Sequence, residues 1–299
     1  MSPKIAGALA LVLALVSTAC ASDPDGFART KPRNAASPSS DEADDEGGDR
    51  APAPGERSDA GPAGPASDGG DAGAPATTST KGSGGPTGQS ELRSPGGLGY
   101  ILNVPVAAPA KPRGLLVLLH GSGASNYRNF VGMMATVASA HDLIRVSVLA
   151  PNGQGWNEGN QTQGAELLHR LIQDEIFTKY DVDLARIVFS GQSSGGGFLS
   201  THFLPLHAKD YRGGAFMQCG AAPPAVTFAP DAATKAGLRL HFEITTGDTI
   251  WPTSFKNAVT AYTAAGMTLT KSDTKPGGHC AFDQQQVIVD RIATMLPAP

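Results

Sequence analysis

The chain has 299 residues, a mild formal net charge of -4 and 17% charged residues. It carries no basic cluster and no row of stacking aromatic side chains, so we expect no nucleic acid among its partners. Beyond residue 20, no stretch is apolar enough to span a bilayer, so we expect no membrane-spanning segment there.

The first twenty residues have the layout of an export signal. Lys4 and the amino terminus supply positive charge, residues 5–16 are almost wholly apolar, and small residues lead to Cys20. The apolar run is too short for a good membrane span and is typical of a secretory signal peptide. Ser17-Thr18-Ala19-Cys20 resembles a bacterial lipobox, which implies a lipidated Cys20 and attachment to a membrane through that lipid alone. Because ordinary cleavage beside Cys20 is the alternative, we expect an exported protein, either a cell-envelope lipoprotein or a secreted one.

Residues 21–95 differ in composition from everything that follows. Residues 41–49 are mostly acidic, the rest is rich in Pro, Gly, Ser and Ala, and Phe27 is the only aromatic residue. Burial of so few apolar side chains cannot offset the entropy lost on ordering the backbone. We therefore expect a disordered tether over residues 21–95. One α/β domain over residues 96–299 would follow, which is long enough for a substantial core.

From residue 98 onward, strand and helix patterns alternate. Predicted strands cover residues 98–104, 114–120, 144–149, 187–189, 215–218, 238–245 and 267–272, and predicted helices cover residues 126–141, 162–180, 198–204, 255–265 and 284–295. This alternation predicts a mostly parallel sheet with helices on both faces. In such sheets, ligands bind beyond the carboxyl ends of the strands. Candidate catalytic residues should therefore lie directly after strands.

The run of β-formers at residues 187–189 leads into Gly191-Gln192-Ser193-Ser194-Gly195. A strand that turns sharply into a helix holds its turn residue in a strained conformation, and flanking glycines leave room for the close approach. Such a turn would lift the Ser193 hydroxyl above the sheet as a nucleophile. The alternative is a glycine-rich loop, because the spacing also arises by chance in a chain with 37 glycines.

A serine nucleophile needs a base, usually a histidine that a carboxylate orients. His279 lies after the last predicted strand and before the last helix, and Asp248 follows the strand at residues 238–245. Asp273 is the second choice for the carboxylate, and Glu243 is expected to face solvent or a helix. Five other histidines are expected to be packed or solvated because they fall in helices or within a strand: His141, His169, His202, His207 and His241.

An oxyanion formed on attack needs preorganised hydrogen-bond donors. The backbone N–H of Ser194 follows the nucleophile at a helix start, where the helix dipole also helps. The turn His120-Gly121-Ser122 follows the first central strand, and we assign the second donor to the N–H of Ser122. His120 itself is expected to be structural.

These motifs together resemble the α/β-hydrolase superfamily. The resemblance is carried by His120-Gly121-Ser122, Tyr180-Asp181-Val182-Asp183, Gly191-Gln192-Ser193-Ser194-Gly195-Gly196, Gly247-Asp248 and Gly278-His279-Cys280. Within the superfamily they are similar to secreted esterases of the polyhydroxybutyrate-depolymerase and feruloyl-esterase type. The resemblance implies the α/β-hydrolase fold and a catalytic triad of Ser193, Asp248 and His279. It also implies a serine esterase that cleaves small-molecule or polymeric carboxylic esters through an acyl-enzyme, without a metal or an organic cofactor.

The segment between Cys219 and Leu238 is too short for a large cap domain, so we expect an open site, and we expect a monomer. Two other functions stay open. The same triad would serve a peptidase or an acyltransferase, because it does not specify the leaving group or the acceptor. The domain would otherwise be a tethered binding module with a vestigial site.

Trp156 lies in a long loop after a predicted strand, on the side of the predicted site. We assign it to the substrate pocket, with a role in covering the core as the alternative. Trp251, soon after Asp248, has the same two interpretations.

The chain contains three cysteines. If Cys20 carries lipid, Cys219 and Cys280 remain as an even pair in an exported domain. Both follow predicted strands on the catalytic side, so we expect a disulfide between them that braces the loop of His279.

Overall fold

The computed structural model describes residues 78–107, 109 and 111–296. Within these residues, eight strands form one sheet in the order β1-β2-β4-β3-β5-β6-β7-β8. The strands are β1 (Gly88–Arg93), β2 (Gly99–Val104), β3 (Arg113–Leu119), β4 (Leu143–Val148), β5 (Val182–Gln192), β6 (Gly213–Gln218), β7 (Leu238–Thr245) and β8 (Thr268–Lys275). The β1–β2 and β2–β4 pairs are antiparallel and all other pairs are parallel. The prediction of a mostly parallel sheet is therefore confirmed.

The helices connect the strands. They are α1 (Phe130–Met133), α2 (Ala135–Ala140), α3 (Gln161–Arg170), α4 (Phe177–Lys179), α5 (Ser194–Phe198), α6 (Leu204–His207), α7 (Ala232–Gly237), α8 (Pro252–Ala264) and α9 (Gln284–Met295). Wider π-helical turns at Leu171–Ile176 and Leu199–Phe203 join α3 to α4 and α5 to α6. The helix predicted at residues 126–141 is shorter and divided, because Asn126 has a left-handed φ of 64° and Met134 lies outside helical geometry. Helix α7 was not predicted.

Helices cover both faces of the sheet, and the side chains of β3 show this most clearly. All seven residues of β3 are buried. Because side chains alternate along a strand, Leu115, Val117 and Leu119 enter one apolar cluster with residues of α3, α5 and α8. Leu116 and Leu118 enter a second cluster with residues of α1, α2 and α9. The continuous apolar run is therefore that of a central strand buried on both faces.

The predicted boundary between tether and domain at residues 95 and 96 is wrong, because the sheet begins earlier. Strand β1 pairs with β2 along its full length, and Ser79 forms a bridge with Asp183. The composition of residues 78–95 did not predict their place in the domain, because backbone hydrogen bonds rather than buried apolar side chains hold them there. The backbone N–H of Thr80, for example, donates to the carbonyl of Val182 at 3.0 Å.

Residues 1–77, with the predicted export signal, Cys20 and most of the predicted tether, lie outside the described residues. In the part that the structure describes, no helix combines the length and the apolar character needed to cross a membrane. The connection from β6 to β7 carries only the six-residue helix α7 as a regular element.

Residues 78–87, the first residues that the structure describes, pack against Tyr180 through Gly82. A methyl group on Gly82 would lie 2.2 Å from the backbone nitrogen of Tyr180, which cannot move aside. We expect Gly82→Ala to lower the free energy of unfolding by about 1–3 kcal/mol, as overpacking does. Thr87→Ala, at an exposed position, is the control and should change it by less than about 0.5 kcal/mol. Urea titration measures both, and equal stabilities of the two variants would contradict the described docking.

Candidate active site

Ser193 lies at the turn between β5 and α5. Its backbone has φ 47° and ψ -112°, a conformation that is costly for a residue with a side chain. The glycines on either side make the turn possible. A methyl group on Gly191 would lie 2.4 Å from the carbonyl carbon of Gly195, and one on Gly195 would lie 2.6 Å from the carbonyl oxygen of Leu119. The start of α5 is therefore pressed against the ends of β5 and β3.

Two further side chains from the carboxyl edge of the sheet meet Ser193. Its Oγ lies 2.9 Å from Nε2 of His279, and Nδ1 of His279 lies 2.7 Å from Oδ2 of Asp248. Asp248 follows β7, and His279 follows β8. The Asp248 side chain is fully buried, whereas that of His279 is 24% exposed. The hydroxyl can thus pass its proton to a partly accessible imidazole that a buried carboxylate orients.

The carboxylate of Asp248 is held by its own loop. Its Oδ1 accepts hydrogen bonds from the backbone N–H groups of Ile250 at 2.8 Å and Trp251 at 3.1 Å. Burial pushes the pKa of Asp248 up. The hydrogen bonds from His279 and from these two N–H groups outweigh burial, so the pKa lies below its usual value. The ionised form is therefore the one that the site favours.

The loop of His279 is attached to its surroundings at several points. Cys219 and Cys280 form a disulfide that joins this loop to the end of β6. The hydroxyl of Thr245 donates to the carbonyl of Gly278 at 2.8 Å, which ties the loop to β7 as well. The imidazole of His279 therefore has little freedom to leave Ser193.

The two residues assigned from the sequence to an oxyanion hole, Ser122 and Ser194, each begin a helical turn. Ser122 is the first residue of a 3-10 turn after β3, and Ser194 is the first residue of α5. The N–H groups at the start of a helical turn have no acceptor within that turn and are available to a ligand. Ser194 is buried, whereas Ser122 is exposed at the surface of the site.

His120 has a structural role. Its Nε2 accepts the N–H of Ala150 at 2.9 Å, which leaves the proton on Nδ1, and Nδ1 donates to the carbonyl of Gly121 at 2.6 Å. Burial lowers the pKa of this imidazole. A neutral histidine with both nitrogens engaged holds the turn before Ser122 in place.

A cavity of about 330 Å³ opens at Ser193. Both polar and apolar side chains line it. Its lining residues are Gly121, Ser122, Ser125, Asn157, Gln192, Ser193, Ile250, Trp251, His279 and Cys280. Ile250 is 63% exposed and forms an apolar rim beside the histidine.

The prediction that Trp156 lines the substrate pocket is wrong. Trp156 is 2% exposed and packs against Phe198 with ring centroids 4.8 Å apart, so it fills the core beneath the site. Trp251 lines the cavity instead. A signal for this assignment was present in the sequence, because Trp251 lies only three residues after Asp248.

The two other candidate carboxylates lie elsewhere. Glu243 was expected to face solvent or a helix, but it is 2% exposed and its Oε2 lies 3.0 Å from Nε2 of His241. Asp273 forms an exposed ion pair with Lys271 at 3.0 Å. Neither carboxylate bonds to His279 in the part of the chain that the structure describes.

A second group of titratable side chains, His169, His207 and Asp210, lies on another part of the domain. The two imidazoles are stacked, with centroids 4.2 Å apart and planes 10° from parallel. Because imidazole lone pairs lie in the ring plane, the nitrogens of stacked rings point side by side and do not converge on one ion. Burial and the neighbouring His169 lower the pKa of His207. We interpret this group as packing between helices.

The fold is similar to that of solved esterases. The carboxylesterase from Mesorhizobium loti superposes with a TM-score of 0.54 at 20% identity, over 68% of this chain and 97% of that one. Esterase PE8 superposes with a TM-score of 0.50 at 17% identity, over 70% of this chain and 100% of that one. No protein-family model and no curated protein sequence matches the chain. At such identities the likeness shows the fold, and the predicted α/β-hydrolase fold is confirmed.

The lowered pKa of Asp248 makes a prediction about stability. Above about pH 4, the Asp248 carboxylate is ionised in the unfolded chain as well, and the hydrogen bonds that it accepts in the folded chain increase the free energy of unfolding. As the pH falls through the folded-state pKa, the carboxylate is protonated in both states and this gain is lost. The stability difference between the wild type and Asp248→Asn should therefore be larger at pH 7 than at pH 3.

Urea titrations at both pH values measure this difference. Asp273→Asn is the matched control, because its exposed ion pair is worth little at either pH. A difference between the wild type and Asp248→Asn that does not shrink at pH 3 would contradict the ionised, hydrogen-bonded carboxylate.

Proposed function

We propose that this protein is a serine esterase that hydrolyses carboxylic esters. One observation carries the proposal: Ser193 on a strained strand-to-helix turn bonds to His279, which bonds to a buried Asp248. The order Ser193, Asp248, His279 along the chain is that of α/β-hydrolases. The likeness of the fold to solved esterases supports the same reaction class.

Each group has a role in the proposed reaction. His279 Nε2 takes the proton of Ser193 Oγ as the oxygen attacks the ester carbonyl carbon. The N–H groups of Ser122 and Ser194 bind the oxyanion of the tetrahedral intermediate. His279 then gives the proton to the leaving alcohol, and an acyl-enzyme remains. Water, activated by the same imidazole, attacks the acyl carbon and releases the acid and Ser193.

The finer substrate proposal is an extended or polymeric ester of the polyhydroxybutyrate or feruloyl type. The short connection between β6 and β7 and the exposed Ile250 at the rim support a site that accepts a long substrate from solvent. The ring of Trp251 supplies an apolar wall for an acyl chain or an aromatic acid.

The proposed location is outside the cytoplasm, with Cys20 as a lipid anchor or with ordinary cleavage beside it. The disulfide between Cys219 and Cys280 supports this proposal, because disulfides persist in oxidising compartments and are rare in the cytosol. Mass spectrometry of the mature protein from the native host would show the lipid on Cys20 if it is present.

The function is tested on the full chain with short-chain and long-chain nitrophenyl esters. Ser193→Ala should lower kcat by at least about 10⁴-fold, because the nucleophile is lost. Ser139→Ala is the matched control, since Ser139 is an exposed serine on α2. It should hydrolyse the same esters at the wild-type rate.

Equal ester hydrolysis by the wild type and Ser193→Ala would contradict the mechanism. A peptidase or an acyltransferase would show itself by a peptide substrate cleaved faster than any ester, or by transfer of the acyl group to an added alcohol. A feruloyl ester and a polyester film in the same series test the finer substrate proposal.

A further inference from the structure

A side-chain hydrogen bond joins the two segments that carry the proposed oxyanion donors. Nδ2 of Asn126 donates to Oε1 of Gln192 at 3.1 Å. Gln192 is the last residue of β5, directly before Ser193, and Asn126 lies four residues after Ser122 in the connection between β3 and α1. Among the described residues, no other side-chain hydrogen bond connects residues 121–126 with the turn at Ser193.

Asn126 is held in place by its own backbone. Its φ of 64° lies in the left-handed region, which asparagine tolerates better than most residues. Its carbonyl accepts a hydrogen bond at 2.9 Å from the N–H of Phe130, the first residue of α1. The side-chain amide is therefore presented from a fixed point rather than from a mobile loop tip.

The two segments also touch at Gly121. A methyl group there would lie 3.6 Å from Cδ of Gln192, 3.5 Å from Cβ of Ser193 and 2.7 Å from Oγ of Ser125. The Gln192 amide thus packs over the backbone that leads directly to the Ser122 N–H.

We propose that the Asn126–Gln192 hydrogen bond is a positioning contact for the oxyanion hole. It sets the distance between the Ser122 N–H on one loop and the Ser194 N–H on the other. The inference rests on the proposed esterase function. Oxyanion donors act only within a narrow range of distance and angle, and small misplacements of a reacting group cost large factors in rate. Asn126 and Gln192 are therefore positioning residues that act through Ser122.

The test uses two variants of the full chain that each remove the bond. Asn126→Gly keeps the left-handed backbone without the amide, and Gln192→Met keeps the length of the side chain without its polar atoms. Each should lower kcat for nitrophenyl ester hydrolysis by about tenfold or more while KM changes little. The double variant should be no slower than the slower single variant, because both remove the same contact.

A rescue variant separates positioning from other roles. Asn126→Asp retains the left-handed preference and offers only acceptor oxygens. The Gln192 amide can rotate and donate to the carboxylate through Nε2, which restores a bond of reversed polarity. Asn126→Asp should therefore recover most of the kcat lost in Asn126→Gly. Circular dichroism melts of every variant report stability beside the rates.

Several results would overturn the inference. If Gln192 bonds the substrate directly, Gln192→Met will be far slower than Asn126→Gly, the losses will add, and Asn126→Asp will not recover activity. If the contact serves stability alone, the melting temperatures will fall while kcat is unchanged. A wild type that hydrolyses no ester contradicts the proposed function itself, whereas an active wild type with unaffected variants contradicts only the positioning role.

Discussion

The strained turn at Ser193 is the constraint on which the rest of the site depends. A left-handed φ in a residue with a side chain persists only where the surrounding structure holds it. Here the holding contacts are backbone against backbone. Besides the contacts of Gly191 and Gly195, a methyl group on Gly220 would lie 2.0 Å from the carbonyl oxygen of Ser193. The turn therefore raises the hydroxyl above the sheet and places the Ser194 N–H beside it, so one local conformation supplies two parts of the proposed machinery.

The other parts of the site converge because neighbouring parallel strands end at the same edge. The end of β3 supplies Ser122, and the ends of β7 and β8 supply Asp248 and His279. Each connection is then tied to a neighbour, by the Cys219–Cys280 disulfide, by the hydrogen bond between His279 and Asp248 or by the Asn126–Gln192 pair. Preorganisation of this kind lets groups on separate loops act without rearrangement at the moment of reaction.

The parts that could be predicted from sequence are those encoded by local patterns. Ser193 and Asp248 follow the largely buried strands β5 and β7, and His279 follows the edge strand β8. Each lies after a strand of the same parallel sheet, so their meeting at one edge follows from the fold. Features that depend on tertiary contact could not be predicted. Whether Trp156 or Trp251 faces the cavity depends on the path of two loops. The docking of residues 78–87 depends on glycine backbone lying against Tyr180, and the burial of Glu243 depends on its pairing with His241.

If Ser193 is an activated nucleophile, it should react with a covalent probe for such serines. An organophosphonate fluoride reacts with a serine whose hydroxyl a histidine deprotonates and whose oxyanion is stabilised, and it leaves ordinary serines unmodified. The full chain should take up one phosphonyl group, and peptide mass spectrometry should place it on Ser193. His279→Ala should react far more slowly, because the base is missing. A folded wild-type chain that takes up no label, or that carries it on a residue other than Ser193, would contradict the account.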